Sequence, residues 1–261
     1  MDDHKKKVYD KVYGYEGIYE PSHGLLDLLY KRLRGREINR YQVTYDLLPS
    51  IGKGGRLLDV GCGDGDLVFI CREKFGECYG IDISDVRVER AKRRALEKHT
   101  NNIYFYVCDV DEGLPFSDSF FDAVTCISVL EHVFNPPNVV NEIHRVLKLG
   151  GVFIVQVPNV AWLPYRIQLL FGKLPKTGGV YLGADWEHLH WFTKDVLVKL
   201  LLASGFQIKQ VTCSGIFAKY RKIWPSLLSG DLIIKAIKLN RCMAHPLKHY
   251  SFLRSKVLRI F

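Results

Sequence analysis

Residues 57–66, Leu57-Leu58-Asp59-Val60-Gly61-Cys62-Gly63-Asp64-Gly65-Asp66, constrain the fold more than any other stretch. An apolar run carries one acid near its end, and three glycines follow at every second position. Leu67-Val68-Phe69-Ile70-Cys71 then fits the start of a buried helix. The pattern reads as strand, tight turn, helix. Glycine reaches backbone angles closed to other residues and lets a ligand lie against the main chain. The helix start adds N–H groups and a partial positive charge. Such a junction predicts an α/β fold with a doubly wound sheet and a nucleotide-like ligand at its carboxyl edge.

The spacing narrows the ligand. A dinucleotide fingerprint wants Gly-x-Gly-x-x-Gly, and its third glycine would fall on Asp66. The pattern here is Gly-x-Gly-x-Gly, with Asp59 two residues before Gly61. A carboxylate there repels a pyrophosphate and suits a ligand with an ammonium group. S-adenosylmethionine (SAM) has an amino acid end, a sulfonium and an adenosine. The stretch closely resembles motif I of the class I SAM-dependent methyltransferases. That resemblance implies a Rossmann-like sheet of seven strands with an antiparallel last strand. It implies SAM as cofactor and S-adenosylhomocysteine as product. It also implies that Asp59, Gly61, Cys62 and Gly63 hold the cofactor.

Further strands fall where that fold needs them. Strand one is read at Arg56–Val60, followed by a helix from Asp66 to Lys74. Strand two, Cys78–Asp82, ends in an acid 21 residues after Gly61. A doubly wound fold places its ribose-binding carboxylate there. Ile83 then lies on the adenine face, and Ser84 caps a helix over Val86–Lys98. Strand three is Ile103–Val107. The resemblance places Asp109, just past it, at the adenine amino group, with the backbone of Val110. Strand four is Ala123–Val129, and Ser128 near its end completes the expected cofactor set. Strands five, six and seven are Val152–Val157, Phe206–Val211 and Asp231–Ile237.

Leu114–Asp122 and Leu130-Glu131-His132-Val133 resemble the type-11-like, small-molecule branch of these enzymes. Asn135-Pro136-Pro137-Asn138 superficially matches the Asn-Pro-Pro-aromatic motif of nucleic-acid amino-methylases. Its fourth residue is Asn138 and it lies several residues too late, so it reads as a turn opening a helix over Val139–Leu147. Asp111–Leu114 and the apolar, basic insertion after Pro158 resemble, in part, the MetW family of methionine biosynthesis.

Residues 1–50 are tyrosine-rich and are read as a helical cap, with helices at Leu25–Leu33 and 37–48. Tyr13, Tyr15 and Tyr19 read as packing residues. The methyltransferase domain is placed at 51–238, with insertions at 158–183 and 214–230, and a basic tail at 239–261. Apolar positions 216, 220, 223, 224 and 227 share one helical face, with Lys219, Arg221 and Lys222 off it. From Ala203 to Phe261 there are eleven Lys and Arg against one acid, Asp231, so this part holds the whole excess of the +9 net charge. A basic amphipathic segment fits an anionic membrane surface. The interleaving of charge with Trp, Leu and Ile makes nucleic acid the weaker partner.

The N-terminus lacks a signal-peptide core and no apolar run spans about 18 residues, so a cytoplasmic protein, at most peripheral to a membrane, is expected. None of the seven cysteines forms a Cys-x-x-Cys pair, so no metal site is expected. Methyl transfer from a sulfonium mainly needs alignment, plus a base if the acceptor is a hydroxyl. Glu131, His132, Glu187, His188 and His190 are the candidates, with His132 and His188 first because both follow strand ends on the ligand edge. The expected function is methyl transfer to a small-molecule or a lipid- or glycan-linked acceptor. A MetW-like binding protein without turnover, and an RNA methyltransferase, are the alternatives.

Overall fold

The computed structural model describes residues 37–175, 188–216 and 218–240. The expectations for Tyr13, Tyr15, Tyr19, Leu25–Leu33, Glu187 and the tail beyond Asn240 lie outside the described residues. One sheet of seven strands organises the rest: β1 Gly52–Val60, β2 Phe75–Asp82, β3 Ile103–Val107, β4 Phe121–Ile127, β5 Leu147–Pro158, β6 Phe206–Thr212 and β7 Asp231–Lys238. Their order across the sheet is β3-β2-β1-β4-β5-β7-β6. β1 lies parallel between β2 and β4, with Leu58 opposite Tyr79 on one side and Val124 on the other. β7 runs antiparallel to both β5 and β6. The expected Rossmann-like sheet with its antiparallel last strand is therefore present.

The longer helices among the described residues are α1 Arg40–Leu47, α2 Asp66–Cys71, α3 Asp85–Glu97, α4 Pro136–Val146, α5 Leu163–Leu170 and α6 Lys194–Ala203. Parallel strands buried on both faces must be apolar throughout, and β1 shows why. Leu58 and Val60 enter a core with Val139, Ile143, Leu197 and Leu201 of α4 and α6. Leu57 points the opposite way, into a core with Leu67, Val68, Val88 and Ala91 of α2 and α3. The period-two alternation of a strand divides the same run between two cores.

Four local expectations change. The helix expected over 37–48 starts at Arg40: Asn39 caps it by accepting from Tyr41 N at 2.9 Å, while Glu37–Ile38 pairs with Gly215–Ile216. α2 stops at Cys71 because the Lys74 carbonyl accepts from Ile51 N and Gly52 N, which turns the chain into β2. β5 begins at Leu147 directly after α4, upstream of the glycines at 150 and 151. The stripe over 216–227 breaks into short turns at Ala218–Arg221 and Pro225–Leu228. Pro225 cannot donate to a preceding turn, and the Asn159 amide bonds the carbonyls of Ser226 and Ser229 at 3.3 and 2.8 Å. The Asn135-Pro136-Pro137 stretch does open a helix: Asn135 accepts from Asn138 N at 3.1 Å, with proline in the first turn of α4.

Candidate functional site

The strand order reverses between β1 and β4, since the chain leaves β1 towards β2 on one side and returns to β4 on the other. Ligands of open α/β sheets bind at the carboxyl ends of strands flanking such a point. Gly61, Gly63 and Gly65 follow β1 there, all at positive φ. At Gly61 (φ +72°) a Cβ would lie 2.2 Å from Val129 Cγ2, in the segment after β4. Only glycine lets the two strand ends approach so closely. Gly61 N and Cys62 N both donate to Ile81 O, at 2.8 and 2.9 Å, which ties the turn to β2. The Cys62 thiol is buried, and burial pushes its pKa up. A thiol held in this way is not a reactive one.

Three acids surround the turn, and all three are buried. Asp59 accepts from Thr125 Oγ1 of β4 at 2.7 Å. Its pKa is pushed up to about 7, first by burial and then by the nearby Asp82 charge, against the lowering effect of the Thr125 hydroxyl. Asp82 accepts from Gly63 N at 2.8 Å and from Ser84 N at 3.0 Å. It therefore pins the glycine turn to the end of β2. Ser84, not Asp82, caps α3, accepting from Arg87 N at 3.3 Å. Asp109 accepts from Asp111 N at 3.1 Å and caps the short turn Val110–Glu112. Val110 is buried beside it, and Ile83 is partly exposed next to Asp82.

Ser128, directly after β4, lies in the left-handed region, at φ +56°, an uncommon angle for a residue other than glycine and one that costs energy. Its hydroxyl donates to Gln156 Oε1 of β5 at 2.7 Å and accepts from Arg40 Nη1 at 3.0 Å. α1 thus reaches over the same edge, and burial raises the Tyr41 phenol there, with the Asp59 charge adding to it. The sequence reading missed Arg40, Tyr41, Thr125 and Gln156. Thr125 and Gln156 did carry a signal, being polar residues inside otherwise apolar strands. Arg40 carried none.

The turn after β4 brings a second group together. His132 N donates to Val129 O at 2.9 Å, and Glu131 O accepts from Leu189 N at 2.8 Å and His190 N at 3.1 Å. That backbone contact docks residues 188–190 on the turn. The His132 and His188 rings then lie 4.7 Å apart, nearly edge to face. His132 Nε2 is 4.0 Å from Glu131 Oε1. Three of the five candidate bases are thereby assembled. His190 instead meets the Phe134 carbonyl at 3.3 Å.

The arrangement brings together a Cβ-free turn between strand ends, buried carboxylates and a nearby histidine pair. The donor set fits SAM. A family model described as a methyltransferase domain matches residues 51–201. A ubiquinone biosynthesis O-methyltransferase of Paracidovorax citrulli is 38% identical over 99 residues, covering 38% of this chain and 42% of the relative. A ubiquinone/menaquinone biosynthesis C-methyltransferase, UbiE, of Desulfotalea psychrophila is 27% identical over 212 residues, 76% of this chain and 85% of the relative. The matches span only 42% and 43% of the first two curated relatives. Among solved structures, a geranyl diphosphate C-methyltransferase from Streptomyces coelicolor A3(2) superposes with a TM-score of 0.63 at 14% identity, over 92% of this chain and 100% of that one. A SAM-dependent methyltransferase from Mesorhizobium loti gives 0.57 at 20% identity, over 76% and 97%. At such identities the likeness concerns the fold.

Proposed function

This chain belongs to the SAM-dependent methyltransferase family, and from that premise we propose that it methylates a small acceptor of the quinone-precursor type, presented at a lipid surface. When bound, SAM supplies a methyl group already activated on a sulfonium. The observation that carries the reading is one sheet edge holding both a cofactor cradle and a histidine pair. They are linked through Val129, which meets Gly61 on one side and accepts from His132 on the other. In this reading Asp59 offsets the ammonium charge. Asp82 accepts the ribose hydroxyls through lone pairs its two backbone donors leave available. Asp109 and the Val110 main chain meet the adenine, with Ile83 on its face, and Ser128 lines the cofactor side. Gly61, Cys62 and Gly63 give the ligand room against the backbone. His132 and His188 receive the acceptor, and an unprotonated imidazole nitrogen can take a hydroxyl proton. The names of the curated relatives favour a quinone-type acceptor.

The test is labelled methyl transfer from SAM to cell fractions. Label in a lipid-soluble phenol or quinone is the expected outcome. Label confined to RNA, or SAM binding with no labelled product from any fraction, would overturn the reading.

The lipid surface rests on exposed apolar residues that basic residues interrupt. No helix among the described residues is long and apolar enough to cross a membrane. Leu170, Phe171 and Ile223 are 80%, 72% and 83% exposed, and Leu174, Tyr220 and Trp224 are exposed with them. Residues 160–175 and 214–230 contain five Lys and Arg and no acid. The two stretches adjoin: the Arg221 guanidinium lies over the Trp162 ring, 5.8 Å from its centre. Apolar side chains with flanking cations fit an anionic interface. Each inserted Leu or Phe contributes about 1.5–3 kcal/mol when it leaves water. The double change Leu170→Asp and Phe171→Asp is therefore expected to weaken sedimentation with phosphatidylglycerol vesicles by about tenfold or more. Unchanged binding would remove this face from the proposal.

A further inference from the structure

We propose that Glu131, His132 and His188 form a binding site for a first-row divalent transition ion, with Zn2+ as its probe. One ligand atom from each side chain lies within 4.8 Å of the other two. Glu131 is 1% exposed and His188 is buried, so the carboxylate and imidazoles meet inside the protein rather than on its surface. The scaffold is also fixed. Two backbone bonds from residues 189 and 190 to Glu131 O hold His188 against the turn that carries Glu131 and His132.

The donor set selects the ion. Two imidazoles and one carboxylate suit Zn2+, Fe2+ or Co2+, whereas Mg2+ and Ca2+ prefer oxygen donors and keep waters. Bond lengths of about 2.0–2.1 Å put tetrahedral ligand atoms about 3.3 Å apart, so the group must draw in by about 1.5 Å. The expectation of no metal came from cysteine spacing, which is silent on a Glu/His/His set built from an adjacent pair and a residue 56 positions further on.

Three protein ligands leave a coordination position open, as in catalytic rather than structural sites. In that position an acceptor hydroxyl would bind by its oxygen and lose its proton to solvent more readily, because a cation lowers the pKa of a bound O–H; with the ion bound, this replaces proton transfer to His132 or His188, whose nitrogens are then ligands. This last step rests on the methyltransferase reading above. Ion binding itself does not.

The experiment uses the full chain, stripped with EDTA and titrated calorimetrically with Zn2+ and separately with Mg2+. Titration with S-adenosylhomocysteine runs in parallel. One equivalent of Zn2+ at micromolar or tighter affinity is expected, with a raised Tm and no Mg2+ binding at matched concentration. Glu131→Gln and His188→Gln should each weaken Zn2+ by about 100-fold and leave S-adenosylhomocysteine affinity within about twofold, which also reports that the variants are folded. No stoichiometric Zn2+ in the native chain would overturn the site. So would a Zn2+ equivalent that survives both substitutions. Bound Zn2+ in a protein that methylates nothing would leave the ion site standing and sink the acceptor reading alone.

Discussion

Asp82→Ala is expected to weaken SAM and S-adenosylhomocysteine binding by at least about 100-fold, measured calorimetrically at pH 7.5. Two losses combine. The Gly63 and Ser84 N–H groups, now 2.8 and 3.0 Å from the carboxylate, lose their acceptor. Removing a buried, charged hydrogen-bond partner costs about 2–5 kcal/mol. The glycine turn then loses one of its ties to the end of β2, the Ile81 carbonyl still holding Gly61 N and Cys62 N, and the ribose loses the group proposed to receive it. Asp82→Asn separates these effects. Its amide oxygen can still accept one N–H, but its NH2 group faces the other donor, so binding should stay weak while the fold is kept. Near-native affinity in the alanine variant, with an unchanged melting curve, would make Asp82 an ordinary loop acid. Loss of binding together with loss of the melting transition would assign it to stability alone.

The architecture was legible because it is written in periodicity and turn chemistry. The central strands are largely apolar runs, and the two cores bury them on both faces. The Gly-x-Gly-x-Gly turn required positive φ at each glycine, and the structure has it. The edge residues were less legible for a physical reason. Arg40 reaches Ser128 across 88 positions and Gln156 reaches it across 28. No local pattern encodes such a contact. The break in the 216–227 stripe depended on Asn159, whose amide competes for the backbone of a segment some 66–70 residues away. His132 and His188 were singled out one by one as strand-end residues. Their pairing, and the part of Glu131 in it, depended on a backbone contact between distant turns.

Asp59 leads to the second large effect, a dependence of SAM affinity on pH. Its pKa is pushed up to about 7, chiefly by burial. An acid raised in the folded state keeps its proton where the unfolded chain releases it. Between about pH 4 and pH 7 the unfolded state therefore binds fewer protons, and stability falls as pH rises. A cationic ligand reverses the balance. An ammonium group near Asp59 favours the carboxylate, so binding expels the proton whenever the free protein still holds it. Affinity should thus rise about tenfold per pH unit from pH 5 to 7 and level off above, as one proton is released per ligand bound. Asp59→Asn keeps an oxygen for the Thr125 hydroxyl but cannot ionise. It should flatten the profile, lower affinity at pH 7.5, and gain stability relative to the native chain as pH rises from about 4 to about 7, with no further gain above. The comparison is therefore between the slopes of the native chain and of Asp59→Asn, measured under the same conditions. If wild type and Asp59→Asn show the same slope, Asp59 is not the coupled group, and the ammonium must be held by other groups at the sheet edge.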